Sequence, residues 1–325
     1  MIHISVSKTT QTLADCRSLW DAVFADPAIY SEHYFTHHCK DNTILTLYDH
    51  TRPESLLSML HMNPYTLCIH GREASGYYID GVATRPESRH QGCMRTLLEK
   101  MFTLCSSSHI PFVYLMPAST EIYEPFDFRT VCRQQIYHST KESLSGAVPF
   151  LSLSEEYQKK AVDFANQWLS GQYQIYTRRS LSYYITSALE MRACGGDLLV
   201  RLSGENVCSV ITYSNEEQIE IMDCCGVLPP DASLLPLQDR PLIMARVTDF
   251  AALAKYMRCP VPMDTTVQIV DAHIPENNCC FHLQADAHHG SASPIQTKTP
   301  EQVLPVSEVF DMFFRDCTWH TNEIV

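Results

Sequence analysis

The stretch from Tyr77 to Phe128 constrains what this chain can fold into more than any other. It runs as an apolar strand (Tyr77 to Ala83), a short basic turn with Arg85, Arg89, Gln91 and Gly92, an amphipathic helix, a second strand (Phe112 to Met116) and a tyrosine-bearing knuckle. In a strand-turn-helix unit the free backbone N–H groups of the turn converge with the positive end of the helix dipole, which makes an anion site. A phosphorylated cofactor is the expected occupant.

The chain has 325 residues, long enough for two or three packed units. A formal net charge of -13 argues against nucleic acid as a partner, because that binding draws on clustered Lys and Arg that release counterions. The same surplus of carboxylates suits a cationic substrate such as an amine. Met1 to Gln11 is polar and carries Lys8, unlike a signal peptide, and no apolar run is long enough to span a bilayer. The sequence therefore predicts a cytoplasmic protein with no membrane partner. Its 14 cysteines include no C-x-x-C spacing and are expected as reduced, mostly buried thiols.

Taken in order, Leu13, Cys16, Trp20, Val23 and Phe24 follow helical spacing until Pro27 stops it. The cluster His33, His37, His38 and Cys39 lacks a second ligand pair and is expected as helix-face side chains, not a metal site. Strands are expected at Thr43 to Tyr48, Ser55 to Met62, Tyr65 to His70 and Tyr77 to Ala83, with Asn63-Pro64 and Gly71-Arg72 as punctuation. These read as an antiparallel meander, joined by the crossover helix with its stripe of Met94, Leu97, Leu98, Met101 and Cys105, so the fold class is α+β with a mixed sheet. Ser139 to Pro149 is polar and predicts a linker.

A second unit follows, with a helix over Leu181 to Met191 closed by Gly195-Gly196, then strands Asp197 to Leu202, Val207 to Tyr213 and Ile219 to Cys225. Its order repeats that of the first unit, but Gly226, Pro229 and Pro230 stand where a basic turn would be, so it is expected as a degenerate repeat with no cofactor site. A third unit starts near Pro241, with a helix capped by Thr248 or Asp249, strands Thr266 to Ile274 and Cys280 to Ala285, a polar loop at His288 and His289, and a final helix carrying Val306, Val309, Phe310, Phe313 and Phe314. The expected division is 1–140, 150–240 and 241–325.

Residues Val82, Ala83, Thr84, Arg85, Pro86, Glu87, Ser88, Arg89, His90, Gln91, Gly92, Cys93, Met94 and Arg95 resemble motif A of the GNAT superfamily of N-acetyltransferases. That motif runs Gln or Arg, two residues, Gly, one residue, then Gly or Ala; Arg89 and Gly92 match, and Met94 replaces the small residue. Tyr123 to Phe128 resembles the Tyr-x-x-x-Gly-Phe element, with Asp127 where Gly is usual. The longer pattern, Asp80-Gly81-Val82-Ala83-Thr84 with Pro86 and Glu87, then Leu115-Met116-Pro117-Ala118 and Ile122-Tyr123, is similar to the enhanced-intracellular-survival (Eis-like) acetyltransferases. Such proteins join an active GNAT domain, a degenerate GNAT-like domain and a C-terminal sterol-carrier-protein-like domain. Met244-Ala245-Arg246-Val247 with Asp249 resembles the start of the third.

The resemblance implies acetyl-CoA as co-substrate, held by Val82, Ala83, Thr84, Arg89, His90, Gln91, Gly92, Cys93, Met94 and Arg95. It implies direct transfer to a primary amine, with a backbone N–H near Val82 polarising the thioester carbonyl and Tyr123 as the acid. The implied base is the terminal carboxylate at Val325, with Glu121 and Glu124 as alternatives from position. No metal is implied, and assembly as a homo-oligomer, hexamer or dimer, stays open. A protein of another class would retain the same turn as a non-catalytic binder of acyl-CoA or a lipid-like ligand.

Overall fold

The computed structural model describes residues 2–51, 55–215, 217–296 and 299–323. From the N-terminus come β1 (Ile2–Val6), α1 (Thr10–Val23), α2 (Ala28–His37), β2 (Thr43–Asp49), β3 (Leu56–Ile69), β4 (Arg72–Thr84), α3 (Cys93–Ser107), β5 (Phe112–Leu115), α4 (Thr120–Tyr123) and β6 (Arg129–Arg133). Next are β7 (Tyr137–Ser139), β8 (Val148–Pro149), α5 (Glu155–Gln172), β9 (Ile175–Thr177), α6 (Leu181–Ala193), β10 (Asp197–Ser203), β11 (Asn206–Asn215), β12 (Ile219–Gly226) and β13 (Ser233–Leu234). Then follow β14 (Leu242–Val247), α7 (Phe250–Ala254), β15 (Met263–Val270), β16 (Cys280–Ala285), β17 (Gly290–Ile295), β18 (Gln302–Pro305), α8 (Val309–Phe313) and β19 (Trp319–His320).

The chain divides into two compact units, each assembled from separate stretches: residues 1–25, 41–132 and 242–317, and residues 26–40, 133–241 and 318–325. In the first unit the main sheet runs β1-β2-β3-β4-β5-β14-β6. The meander β1 to β4 is antiparallel, and β5 joins β4 in parallel after the α3 crossover. One face of the sheet is covered by α3, whose Leu97, Leu98, Met101, Phe102 and Cys105 lie at helical spacing and pack on Leu60, Met62, Ile79, Val113 and Leu115. Strand β14 arrives from more than a hundred residues downstream and pairs antiparallel with β5, Met244 opposite Leu115 and Val247 opposite Phe112. A second sheet, β17-β16-β15-β18, completes this unit.

In the other unit the strands run β13-β7-β12-β11-β10-β8, and β19 pairs in parallel with β9. Helix α6 ends as its glycines demand: Gly195 takes φ 71 and Gly196 N–H returns to Met191 O at 2.8 Å. Helix α2 and the 3-10 turn that follows it at His38–Lys40 carry the histidine cluster, and burial together with His38 and His37 lowers His33 to about 4. Among the described residues no group of three or more His, Cys, Asp or Glu is placed to hold a metal ion, and no helix is long and apolar enough to cross a membrane.

Five stretches differ from the sequence expectation. The polar N-terminus forms the edge strand β1, because Ile2, Ile4 and Val6 alternate. The break expected at Asn63-Pro64 does not occur: β3 continues to Ile69, and Pro64 lies just past the last β2 pairing, Thr43 with Met62, where its missing N–H costs no bond to that strand. The expected linker from Ser139 to Pro149 contains the end of β7 and all of β8. Helix α5 was not anticipated, although Ala161, Ala165 and Leu169 form its buried stripe behind an acidic first turn. The strand expected at Thr266 to Ile274 lies earlier, at β15, with Asp271 accepting the N–H groups of His273 and Ile274 in the turn beyond it.

Candidate active site

The basic turn lies between β4 and α3, as its residues predict. A single turn of 3-10 helix at Pro86–Ser88 leads out of the strand, with Pro86 pre-setting φ at its first position. His90 and Gly92 then adopt left-handed φ values of 59 and 80. At Gly92 that conformation is unstrained, and a Cβ there would meet nothing within 4 Å, so the space before the helix is open. No side chain caps α3 and no acidic residue occupies its first turn. Its first helical bond runs from Thr96 N–H to Gly92 O at 3.0 Å, which leaves the N–H groups of Cys93, Met94 and Arg95 facing outward for an anion.

Side chains of the turn mostly brace its backbone. Arg89 Nε donates to Thr84 O at 3.3 Å, Gln91 Nε2 to Glu87 O at 2.9 Å, and the Cys93 thiol to Ser88 O at 3.6 Å. Arg89, His90, Gln91 and Arg95 are exposed around the opening. The Arg95 guanidinium lies 4.8 Å from the centroid of the Phe126 ring and 3.7 Å from Glu99. Met94, where the motif has a small residue, packs against the α3 core and leaves the turn clear.

Beyond the turn, β4 and β5 pair only at Tyr77–Val113 and Tyr78–Tyr114, while β4 continues to Thr84. The strands therefore part on the C-terminal side of Tyr78. On the other edge of β4, Met59 pairs with Ala83 and His61 with Asp80, so Leu60 opposes both Gly81 and Val82. This is a bulge, and it frees backbone groups of the extra residue from the ladder. Gly81 holds φ 57, and a Cβ there would come within 3.0 Å of Trp20 and 3.2 Å of His61. Val82 packs on the α3 core, and Thr84 Oγ1 bonds Ser58 Oγ at 2.8 Å, so these two contribute backbone to the opening.

Tyr123 closes α4, 8% exposed, its ring edge-on to Phe128 at 5.6 Å between centroids. Burial, and then the charge of Asp80, push its phenol well above the ordinary value. It is protonated at neutral pH, the state an acid requires. Asp127 takes the left-handed conformation with φ 64 that explains why the motif has Gly here; Asp is among the few other residues that tolerate it. Burial raises the Asp127 carboxyl, against the pull of Arg246 at 4.0 Å. Glu121 and Glu124 are exposed. Val325 lies outside the described residues. Missed from sequence was Asp80 at the bulge; the cue was Gly81 inside a strand, which often marks one.

Residues 7–131 match the family model described as the acetyltransferase (GNAT) domain. The match makes residues 7–131 a GNAT acetyltransferase domain. Proteins of this family are acyl-CoA-dependent acetyltransferases, and acetyl-CoA or CoA is their co-substrate. Among solved structures the chain is similar to a GCN5-related N-acetyltransferase from Kribbella flavida (TM-score 0.76, 12% identity, 100% of each chain covered). It is also similar to a probable N-acyltransferase from Enterococcus faecalis V583 (TM-score 0.70, 15% identity, 94% of this chain and 88% of that one). A third is Eis1 from Mycobacterium abscessus (TM-score 0.64, 11% identity, 96% and 89%). Likeness at such identities concerns the fold, here a GNAT mixed sheet flanked by helices. No curated protein matches the sequence.

Proposed function

We propose that this protein transfers an acetyl group from acetyl-CoA directly to a primary amine at the opening between β4 and β5. The observation that carries this is the parting of the two strands after Tyr78–Tyr114, next to a bulged Gly81 and an uncapped α3. The residues fit the co-substrate. Open space at Gly92, three outward N–H groups and the cations Arg89 and Arg95 suit a pyrophosphate, and the strand gap suits an extended thioester arm. When bound, acetyl-CoA would supply an activated thioester carbonyl.

The chain's own groups then have distinct tasks. A backbone N–H at the Gly81–Val82 bulge donates a hydrogen bond to the carbonyl oxygen as negative charge develops there. Tyr123 Oη holds the proton for the departing sulfur, and its raised pKa keeps that proton in place at rest. Val325, proposed as the base, would need burial to raise an ordinarily acidic carboxyl. Met94, packed partly buried against the α3 core, and Asp127, in a left-handed conformation that Asp tolerates, are both compatible with the catalytic reading. We also propose that residues 150–240 are a degenerate GNAT-like domain and that residues 241–325 are sterol-carrier-like; Gly226 at the end of β12 is followed by Pro229 and Pro230 and not by a basic turn opening a helix, which supports the first.

The test is to mix protein, acetyl-CoA and a panel of amines and follow free thiol. Amine-dependent release is expected. Absence of both turnover and acetyl-CoA binding would sink the proposal.

A further inference from the structure

The face of the main sheet away from α3 carries a row of polar side chains where apolar ones would be expected. His61 is paired with Asp80, and Asn63 with Tyr78; Tyr78 is paired in turn with Tyr114. Partners in register share a face, as do residues two apart on a strand. The alternate residues Leu60, Met62, Ile79, Val113 and Leu115 all belong to the α3 core, so His61, Asn63, Tyr78, Asp80 and Tyr114 lie on the opposite side. The Tyr78 and Tyr114 rings meet edge to face at 5.5 Å, which fixes that side for both. His61 and Tyr114 are 0% exposed and Asn63 is 3% exposed.

Within this row the Asn63 amide is only half satisfied. Its Nδ2 donates to Tyr78 O at 3.3 Å, but its buried Oδ1 has no hydrogen-bond partner among the described residues. A buried acceptor without a donor is destabilising and rare in folded proteins. It lies one strand pair from the half-buried Asp80, at the point where β4 leaves β5. The charge of Asp80 also reaches the Tyr123 phenol across this gap.

We infer that Asp80 and Asn63 Oδ1 are the specificity-determining pair for the acetyl acceptor, receiving two N–H bonds of a primary ammonium group on the sheet face away from α3. This rests on the acetyl-transfer reading above and names the acceptor half of that site. A carboxylate beside an amide oxygen presents acceptors only, and a primary ammonium presents three N–H donors with a positive charge. An N,N-dimethylated amine keeps the charge and has one donor left, so it satisfies one partner at most. Alcohols supply one donor and no charge.

The experiment uses the full chain saturated with CoA. We would titrate 1,4-diaminobutane, benzylamine and lysinamide calorimetrically into wild type, Asp80→Asn, Asn63→Leu and Asn63→Asp, with acetyl-CoA affinity and melting temperature measured on the same samples. At least one amine should bind wild type. Its Kd should rise about tenfold or more in Asp80→Asn and in Asn63→Leu, the effect of losing a charge-assisted bond. In Asn63→Asp the Kd should hold or fall, which keeps the test alive if leucine is not accommodated. The N,N-dimethyl form of the same amine should bind wild type as weakly as the variants bind the parent, while acetyl-CoA affinity stays within about twofold throughout. If none of the three amines binds, or if the amine binds Asp80→Asn unchanged, the inference is overturned. Binding without acetylation would instead count against the acetyl-transfer reading and leave the ammonium site standing.

Discussion

Gly81 is constrained twice over, by its backbone conformation and by its surroundings. Its φ of 57 suits glycine, and Trp20 and His61 close the space that a side chain would need. Gly81→Ala should therefore destabilise the domain by about 1–3 kcal/mol in urea melts, from the strained backbone alone. It should also lower kcat by about a hundredfold if the bulge supplies the oxyanion donor. Equal kcat in a folded Gly81→Ala protein would remove the bulge from the chemistry. Tyr123→Phe separates the acid from its scaffold: the ring still packs on Phe128, so kcat should fall about a hundredfold while the acetyl-CoA Kd is unchanged. The positions of Arg89 and Gly92 in a strand-to-helix turn were legible from local pattern. Asp80 and Asn63 were not, since a strand register across a bulge decides which face they share.

At the scale of elements, α3 and its flanking strands follow from local pattern, whereas β14 does not. Nothing within Leu242–Val247 tells that it inserts between β5 and β6, because the pairing is with residues more than a hundred positions earlier. Chemistry at that insertion is ionic. Arg246 is fully buried, 2.6 Å from Asp271, over the Phe102 ring at 4.4 Å, and bonded to Phe126 O. Asp271 also accepts from Asn277 Nδ2 at 3.0 Å. Removing one partner strands a charge, so Arg246→Met should cost about 3–5 kcal/mol in denaturant melts. Adding Asp271→Asn to that variant neutralises the stranded carboxylate and should recover part of the loss. A double variant less stable than Arg246→Met would show that the carboxylate is needed for its turn and not for the arginine.

Three histidines spread over the molecule, His33, His61 and His70, are held below the ordinary value, and they shape how its stability varies with pH. Burial lowers His61 of the first unit to about 3, and burial with neighbouring histidines lowers His33 of the second to about 4; His70 is lowered in the same sense. A histidine whose folded pKa lies below its unfolded value of about 6.5 binds a proton only when the chain unfolds over the interval between them. Its stabilisation is complete above pH 6.5 and is lost as pH falls toward the folded value. Asp127 and Glu323, whose carboxyls burial raises, act in the opposite sense, and each proton that a lowered histidine takes up on unfolding contributes a slope of about 1.4 kcal/mol per pH unit. Urea melts at pH 7, 6 and 5 should show stability falling steadily toward pH 5. His61→Gln should remove about one proton from the slope of the transition that melts the first unit, and His33→Phe about one from the second. A slope unchanged by His61→Gln would mean that this ring finds its proton in the folded state, by an opening of the sheet face that also holds Asp80 and Asn63.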